Sequence, residues 1–238
     1  HVNSGVRVAT HHMATPADCP LCHAPGPTPH HHGRARDYWR CERCALVFVA
    51  REDYPDAASE RARYDQHRND TSDPGYRRFL SALAVPLLNR ISRGAHGLDF
   101  GCGPGPALAH MLREAGMIVD LYDVFYEPDP TVWHRRYDFI TASEVIEHLH
   151  DPASELDRLF GALVPGGWLA IMTRWVSNIA SFDRSRYARD VTHVGFYDPA
   201  TFDWIATRWG VTLALPATNV ALLRTPVRRS VTAHGEGR

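Results

Sequence analysis

Apolar positions recur along this chain with two different periods, and the switch between them predicts its elements. From Gly97 onward, short apolar runs of strand length alternate with helical repeats. Gly97 to Phe100 reads as a strand, and Ala107, Leu108, Met111 and Leu112 follow at helical spacing. Met117 to Asp123 and Tyr137 to Ala142 read as two further strands. Asp151-Pro152 opens a helix that stops near Leu163, before Pro165-Gly166-Gly167, and Trp168 to Thr173 is again a strand. A capped helix over Asp198 to Trp209 precedes an antiparallel pair, Val211 to Leu215 and Val220 to Arg224. This order predicts an α/β class protein with a doubly wound, mostly parallel sheet.

Upstream the pattern changes. From Arg51 to Arg93 the chain is rich in Arg, Asp and Glu with spaced aromatics, Tyr54, Tyr64, Tyr76 and Phe79. It predicts two or three amphipathic helices, the last over Tyr76 to Ile91, with its aromatics in the core. A connector placed there, over the mouth of an α/β domain, is positioned to form a lid. The expected organisation is a small module over 14–50, this connector over 51–96, the sheet domain over 97–227 and a disordered tail over 228–238.

Four of the five cysteines form Cys19-x2-Cys22 and Cys41-x2-Cys44 with 18 residues between the pairs. That spacing suits a tetrahedral zinc site, since two tight turns aim four thiolates at one ion and leave no open position. Asp37 to Arg40 and Ala45 to Val49 would supply the hairpin of a zinc ribbon, with His23 and His30 to His32 in loops. Two disulfides or four free thiols are the alternatives, and a reducing compartment disfavours the disulfides.

Composition adds limits. Among 238 residues the 26 basic ones are all Arg, against 27 acids, for a net charge of −1. Such a charge gives no electrostatic support for nucleic acid or anionic lipid as partner. No apolar run nears the roughly 20 residues that span a bilayer, and His1 to Thr15 has no apolar centre for a secretory signal. A cytoplasmic protein is expected, with Met13 a candidate natural start.

The chemistry concentrates in Asp99-Phe100-Gly101-Cys102-Gly103-Pro104-Gly105. Glycines between a strand and a helix let a nucleotide-like ligand lie against main chain. A dinucleotide fingerprint would want Gly or Ala where Pro106 stands, which counts against NAD. An acid at the end of the second strand, Asp123 or, if the strand ends early, Asp120, is placed to accept both ribose hydroxyls.

Acid-x-Gly-x-Gly-x-Gly resembles motif I of the class I S-adenosylmethionine-dependent methyltransferases. The resemblance implies a Rossmann-like methyltransferase sheet, with Gly101, Gly103, Gly105 and Ser143 beside the cofactor, Asp99 orienting its methionine amino group and Asp123 on its ribose. Only Val124 to Arg136 bridges the second strand and the next, so the third strand of that family, which contacts adenine, is expected to be reduced. Small bacterial methyltransferases with an N-terminal four-cysteine zinc site look similar over more of the chain.

Glu144-x-x-Glu147-His148 would bring two carboxylates and an imidazole to one helix face. It resembles an element of the ubiquinone-biosynthesis O-methyltransferases and of the small-RNA 2′-O-methyltransferases, where these groups and a later histidine, here His193, are associated with a divalent cation. Two other readings stay open: His148, with Glu144, as the catalytic base of a metal-free site, or a capping box from Thr141 to Glu144 with no role in catalysis. The leading expectation is methyl transfer to oxygen of a small-molecule acceptor. The alternatives are an RNA-modifying methyltransferase gripping RNA through its ribbon, and a non-catalytic or NAD-binding zinc-ribbon protein.

Overall fold

The computed structural model describes residues 15–66, 70–179, 181–182 and 184–227. The candidate start at Met13 and the expected tail over 228–238 lie outside them. The elements are β1 (Thr28–His32), β2 (Asp37–Arg40), β3 (Val47–Phe48), α1 (Ala57–Tyr64), α2 (Pro74–Leu88), β4 (His96–Phe100), α3 (Ala107–Glu114), β5 (Ile118–Tyr122), β6 (Tyr137–Ser143), α4 (Pro152–Ala162), β7 (Leu163–Met172), α5 (Arg186–Arg189), β8 (Gly195–Phe196), α6 (Pro199–Trp209), β9 (Thr212–Ala217) and β10 (Val220–Arg224).

Six strands form one sheet in the order β5-β4-β6-β7-β10-β9. The first four are parallel, and β10 runs antiparallel to both β7 and β9. Successive side chains on a strand point to opposite faces, and here both faces are covered. Phe139, Met172 and Leu222 pack with Leu80, Leu83 and Leu87 of α2 and Leu108 and Leu112 of α3. Ile140, Ile171 and Leu223, one position along, pack instead with Leu156 and Leu159 of α4 and Phe202 and Ile205 of α6. This is the doubly wound arrangement expected from the sequence.

Between β5 and β6 the described chain holds one short 3-10 turn, Pro130–His134, and no strand, so β5 is an edge. Helix α2 starts earlier than the apolar spacing suggests, because Asp73 caps it by accepting from the Gly75 and Tyr76 amides. None of the described helices is long and apolar enough to cross a membrane.

A second sheet has the order β1-β2-β3-β8. His30 to His32 lie in β1 rather than a loop, because His31 and His32 pair with Tyr38 and Asp37. Strand β8 comes from the far end of the chain: Val47 pairs with Phe196 and Phe48 with Gly195. The cysteine module is thus continuous with the sheet domain's own 190s segment.

Gly97 shows how tightly β4 and β6 are joined. Its register partner is Phe139, and a Cβ added at Gly97 would stand 2.1 Å from the Phe139 ring, which is fully buried. Gly97→Ala is expected to destabilise the fold by about 1 to 3 kcal/mol through overpacking, read as a lower midpoint in urea; an unchanged midpoint would contradict this packing.

Candidate active site

The parallel register aligns the carboxyl ends of β4, β5 and β6, where Asp99 pairs with Leu121 on one side and Thr141 on the other. These ends wall a cavity of about 470 Å³. One side is the glycine turn. Gly101 has φ +72 and donates its amide to the Tyr122 carbonyl at 2.8 Å. A Cβ there would lie 2.4 Å from Val145, so the glycine is required by the fold itself, not by a ligand alone. Gly103 also has positive φ, and its amide donates to Asp123 Oδ2 at 3.0 Å.

Asp123 stands just past β5, as predicted, with Oδ1 accepting from the Phe125 and Tyr126 amides. Its carboxylate ties the glycine turn to the loop after β5. Asp120, the other candidate for the ribose, is taken elsewhere: Arg135, Tyr137 and His96 all reach its Oδ2. Asp99 borders the cavity, accepts from Thr141 Oγ1 at 2.7 Å, and is pushed up to about 6 by burial. Thr141 is therefore a strand residue bonded to Asp99, and the capping-box reading of Thr141 to Glu144 is overturned. Gly105 and Ser143 line the same cavity.

The other side begins at Glu144, and here the sequence misleads. No helix spans 144–148. The Glu144 amide donates to the Met172 carbonyl at 2.7 Å and its φ is +53, so the chain turns sharply before a single 3-10 turn, Ile146–His148. A left-handed non-glycine residue stores strain of about 1 to 3 kcal/mol. Burial pushes the Glu144 carboxyl up to about 7.

The turn nevertheless brings Glu147, His148 and His193 together, with one ligand atom from each lying within 4.8 Å of the others. The two imidazole centroids are 4.6 Å apart. His148 Nδ1 donates to the Thr192 carbonyl at 3.0 Å and His193 Nδ1 to the Tyr187 carbonyl at 2.7 Å. A carbonyl only accepts, so each neutral ring carries its lone pair on Nε2. Glu147 is fully buried, which holds its carboxyl well above the ordinary range. Its Oε2 accepts from Thr173 Oγ1 at 3.0 Å, while Oε1 has no hydrogen-bond partner among the described residues. Glu144 is outside that three-residue cluster but lines the cavity beside it.

Helix α1 contributes Glu60, Arg63 and Tyr64 to the cavity wall. Tyr64 stacks edge-on against His148 at 5.2 Å, and Arg63 pairs with Asp190 at 2.8 Å. Tyr64 and Tyr76, which the sequence assigns to the core, line the cavity, and Tyr187 and Thr173 carry no sequence signal at all.

In the N-terminal module, the sulfurs of Cys19 and Cys44 are 3.5 Å apart and those of Cys22 and Cys41 3.4 Å, with all four within 4.8 Å of one another.

The profile of a family described as "Methyltransferase domain" matches residues 74–214. The chain belongs to that family, the class I enzymes that use S-adenosylmethionine. The family match supports an enzyme, against the non-catalytic and NAD-binding alternatives. A ubiquinone biosynthesis O-methyltransferase of Aeromonas salmonicida is 37% identical over 84 residues, 34% of this chain and 35% of that protein. This chain thus spans about a third of that relative's length in the match. The fold is also that of Burkholderia thailandensis 1,6-didemethyltoxoflavin-N1-methyltransferase, solved with 1,6-didemethyltoxoflavin and S-adenosylhomocysteine bound. The TM-score is 0.52 at 17% identity, over 84% of this chain and 99% of that one. An O-methyltransferase family protein of the same organism gives 0.49 at 15%, over 75% and 66%.

Burial of Asp99 carries a pH signature. The folded protein keeps a proton on this carboxyl up to about pH 6, whereas the unfolded chain releases it near 3.8, so stability from this group falls as pH rises between those values. Two pK units correspond to about 3 kcal/mol. Asp99→Asn is therefore expected to gain about 3 kcal/mol relative to the parent between pH 4 and pH 8, measured by urea denaturation. A pH-independent difference would refute the burial argument.

Proposed function

We propose that this methyltransferase acts on an oxygen of a small-molecule acceptor, with a divalent cation held by Glu147, His148 and His193 and bordered by Glu144. The observation that carries the reading is the convergence of a buried carboxyl oxygen, without a hydrogen-bond partner among the described residues, with two imidazoles whose Nδ1 atoms are engaged by backbone carbonyls. Carbonyl partners behind metal-binding histidines fix ring orientation and tautomer in this way. Two imidazoles and a carboxylate suit Mn, Fe or Zn better than Mg.

Support for the cofactor side is equally local. A cavity of about 470 Å³ is within the range of small-molecule sites, and its wall pairs bare main chain at Gly101, Gly103 and Gly105 with the carboxylates of Asp99 and Asp123. We assign Asp123 to the ribose hydroxyls, Asp99 to the methionine amino group and Ser143 to the cofactor's flank. The sulfonium supplies an already electrophilic methyl group, so the protein's task is alignment.

The acceptor hydroxyl must lose a proton, and a bound cation would lower its pKa. Glu144, near neutral in affinity for protons, borders the place where that proton is released. In a site without a cation, the tautomer of His148 makes its Nε2 the base, which is the second reading. Net charge of −1 lends nothing to RNA as acceptor. The cysteine quartet we assign to structural zinc: sulfur separations of 3.4 and 3.5 Å approach the edge of about 3.8 Å implied by four Zn–S bonds.

The purified protein with labelled S-adenosylmethionine is expected to methylate a member of a panel of phenols and catechols rather than RNA. Transfer should vanish on chelation and return with Mn. Transfer that survives chelation but not His148→Ala would favour the metal-free base, and transfer to RNA alone would overturn the small-molecule reading.

A further inference from the structure

The stretch from α5 to β8 carries His193, and its backbone carbonyls are divided between two tasks. Those of Tyr187 and Thr192 hold the imidazoles of His193 and His148. Those of Ala188, Asp190 and Val191 all accept from one side chain, Arg36, at 2.9, 2.6 and 3.1 Å. Arg36 lies between β1 and β2 of the cysteine module, more than 150 residues earlier in the chain, and is only 7% exposed. Its neighbour Tyr38 donates its hydroxyl to the Ala188 carbonyl at 2.7 Å. The Val49 amide closes the set by donating to the Val194 carbonyl at 3.1 Å.

A buried guanidinium must have its charge compensated, and here backbone dipoles do it. The rigid planar fork fixes the direction of each donor, so it dictates where those carbonyls sit. Arg36 is itself fixed by the tight turn after β1, where the Gly33 amide donates to the Arg36 carbonyl and a Cβ on Gly33 would stand 2.5 Å from that oxygen. The far side of the segment is anchored to the site, because the Val194 amide donates to the Glu147 carbonyl at 2.8 Å.

We propose that Arg36 is a positioning residue for the active site: from the cysteine module it clamps residues 188–191 and thereby sets the His193 imidazole against Glu147 and His148. The module is thus a working part of the site. The identity of the bound ion rests on the reading of Glu147, His148 and His193 as a divalent site; the clamp itself does not.

The test compares the full-length parent with Arg36→Ala and Arg36→Lys. Binding of Mn in the presence of S-adenosylhomocysteine is read from the electron paramagnetic resonance of free Mn. Zinc content and S-adenosylhomocysteine affinity are measured in parallel. Loss of a group supporting a metal ligand costs about tenfold or more in metal affinity, and that is expected for Arg36→Ala with zinc content and S-adenosylhomocysteine affinity unchanged. Arg36→Lys, which reaches fewer carbonyls, should fall between. Parental Mn affinity in Arg36→Ala would overturn the proposal. If the parent binds no Mn, the divalent reading fails alone, and the clamp is read from amide hydrogen exchange: faster exchange at Val194 with β4 and β6 still protected supports it, and an unchanged Val194 rate overturns it. Should Arg36→Ala not fold, Arg36→Lys, which reaches fewer of the three carbonyls, decides by the same two readings.

Discussion

Glu147 buries its whole carboxyl group, and one of its oxygens has no hydrogen-bond partner among the described residues. Leaving such an atom unpaired costs about 1 to 3 kcal/mol, and the surrounding structure is built around that cost. Thr173 binds the other oxygen and is itself bonded to Tyr187, whose carbonyl orients His193. The strained Glu144 turn delivers Glu147 to this place, and the Val194 amide fastens its carbonyl. Each contact draws an element toward one point, beside the His148 and His193 rings that line the cavity at the sheet's carboxyl edge.

The opposite wall is organised by a different device. Asp123 accepts three backbone amides, one from the glycine turn and two from its own loop, and so replaces some of the order that a third strand would impose on this edge. Aromatic rings then fill the edge, with Trp133 and Tyr122 packed at 5.0 Å and Arg158 over the Trp133 ring at 3.8 Å.

Sequence periodicity made the sheet legible because both faces of β6, β7 and β10 are buried, which forces continuous apolar runs bounded by turns. Strand β10 was read to the residue for that reason. The prolines at 128 and 130 correctly argued against a third strand. What failed was local pattern against tertiary contact. Ser143 to Leu149 carries a good helical spacing, yet the Met172 carbonyl captures the Glu144 amide and the helix never starts. His30 to His32 looked like loop until pairing with β2 made them strand. Arg36 is one of several arginines near the cysteines, and nothing in its neighbourhood announces three carbonyls some 150 residues away in sequence. Helical spacing groups Glu147 with His148 and resemblance adds His193, while the reason they converge, a sharp turn at Glu144 and a strand shared with the cysteine module, lies in the fold.

What the Glu147, His148 and His193 cluster binds decides the chemistry of this site. Crystals grown with Mn and S-adenosylhomocysteine, measured at the Mn absorption edge, address it most directly. The expected result is an anomalous peak bonded to Glu147 Oε1 and to Nε2 of both histidines, with the cofactor product against the glycine turn. Clear density for S-adenosylhomocysteine with no anomalous peak between the two imidazoles would contradict it.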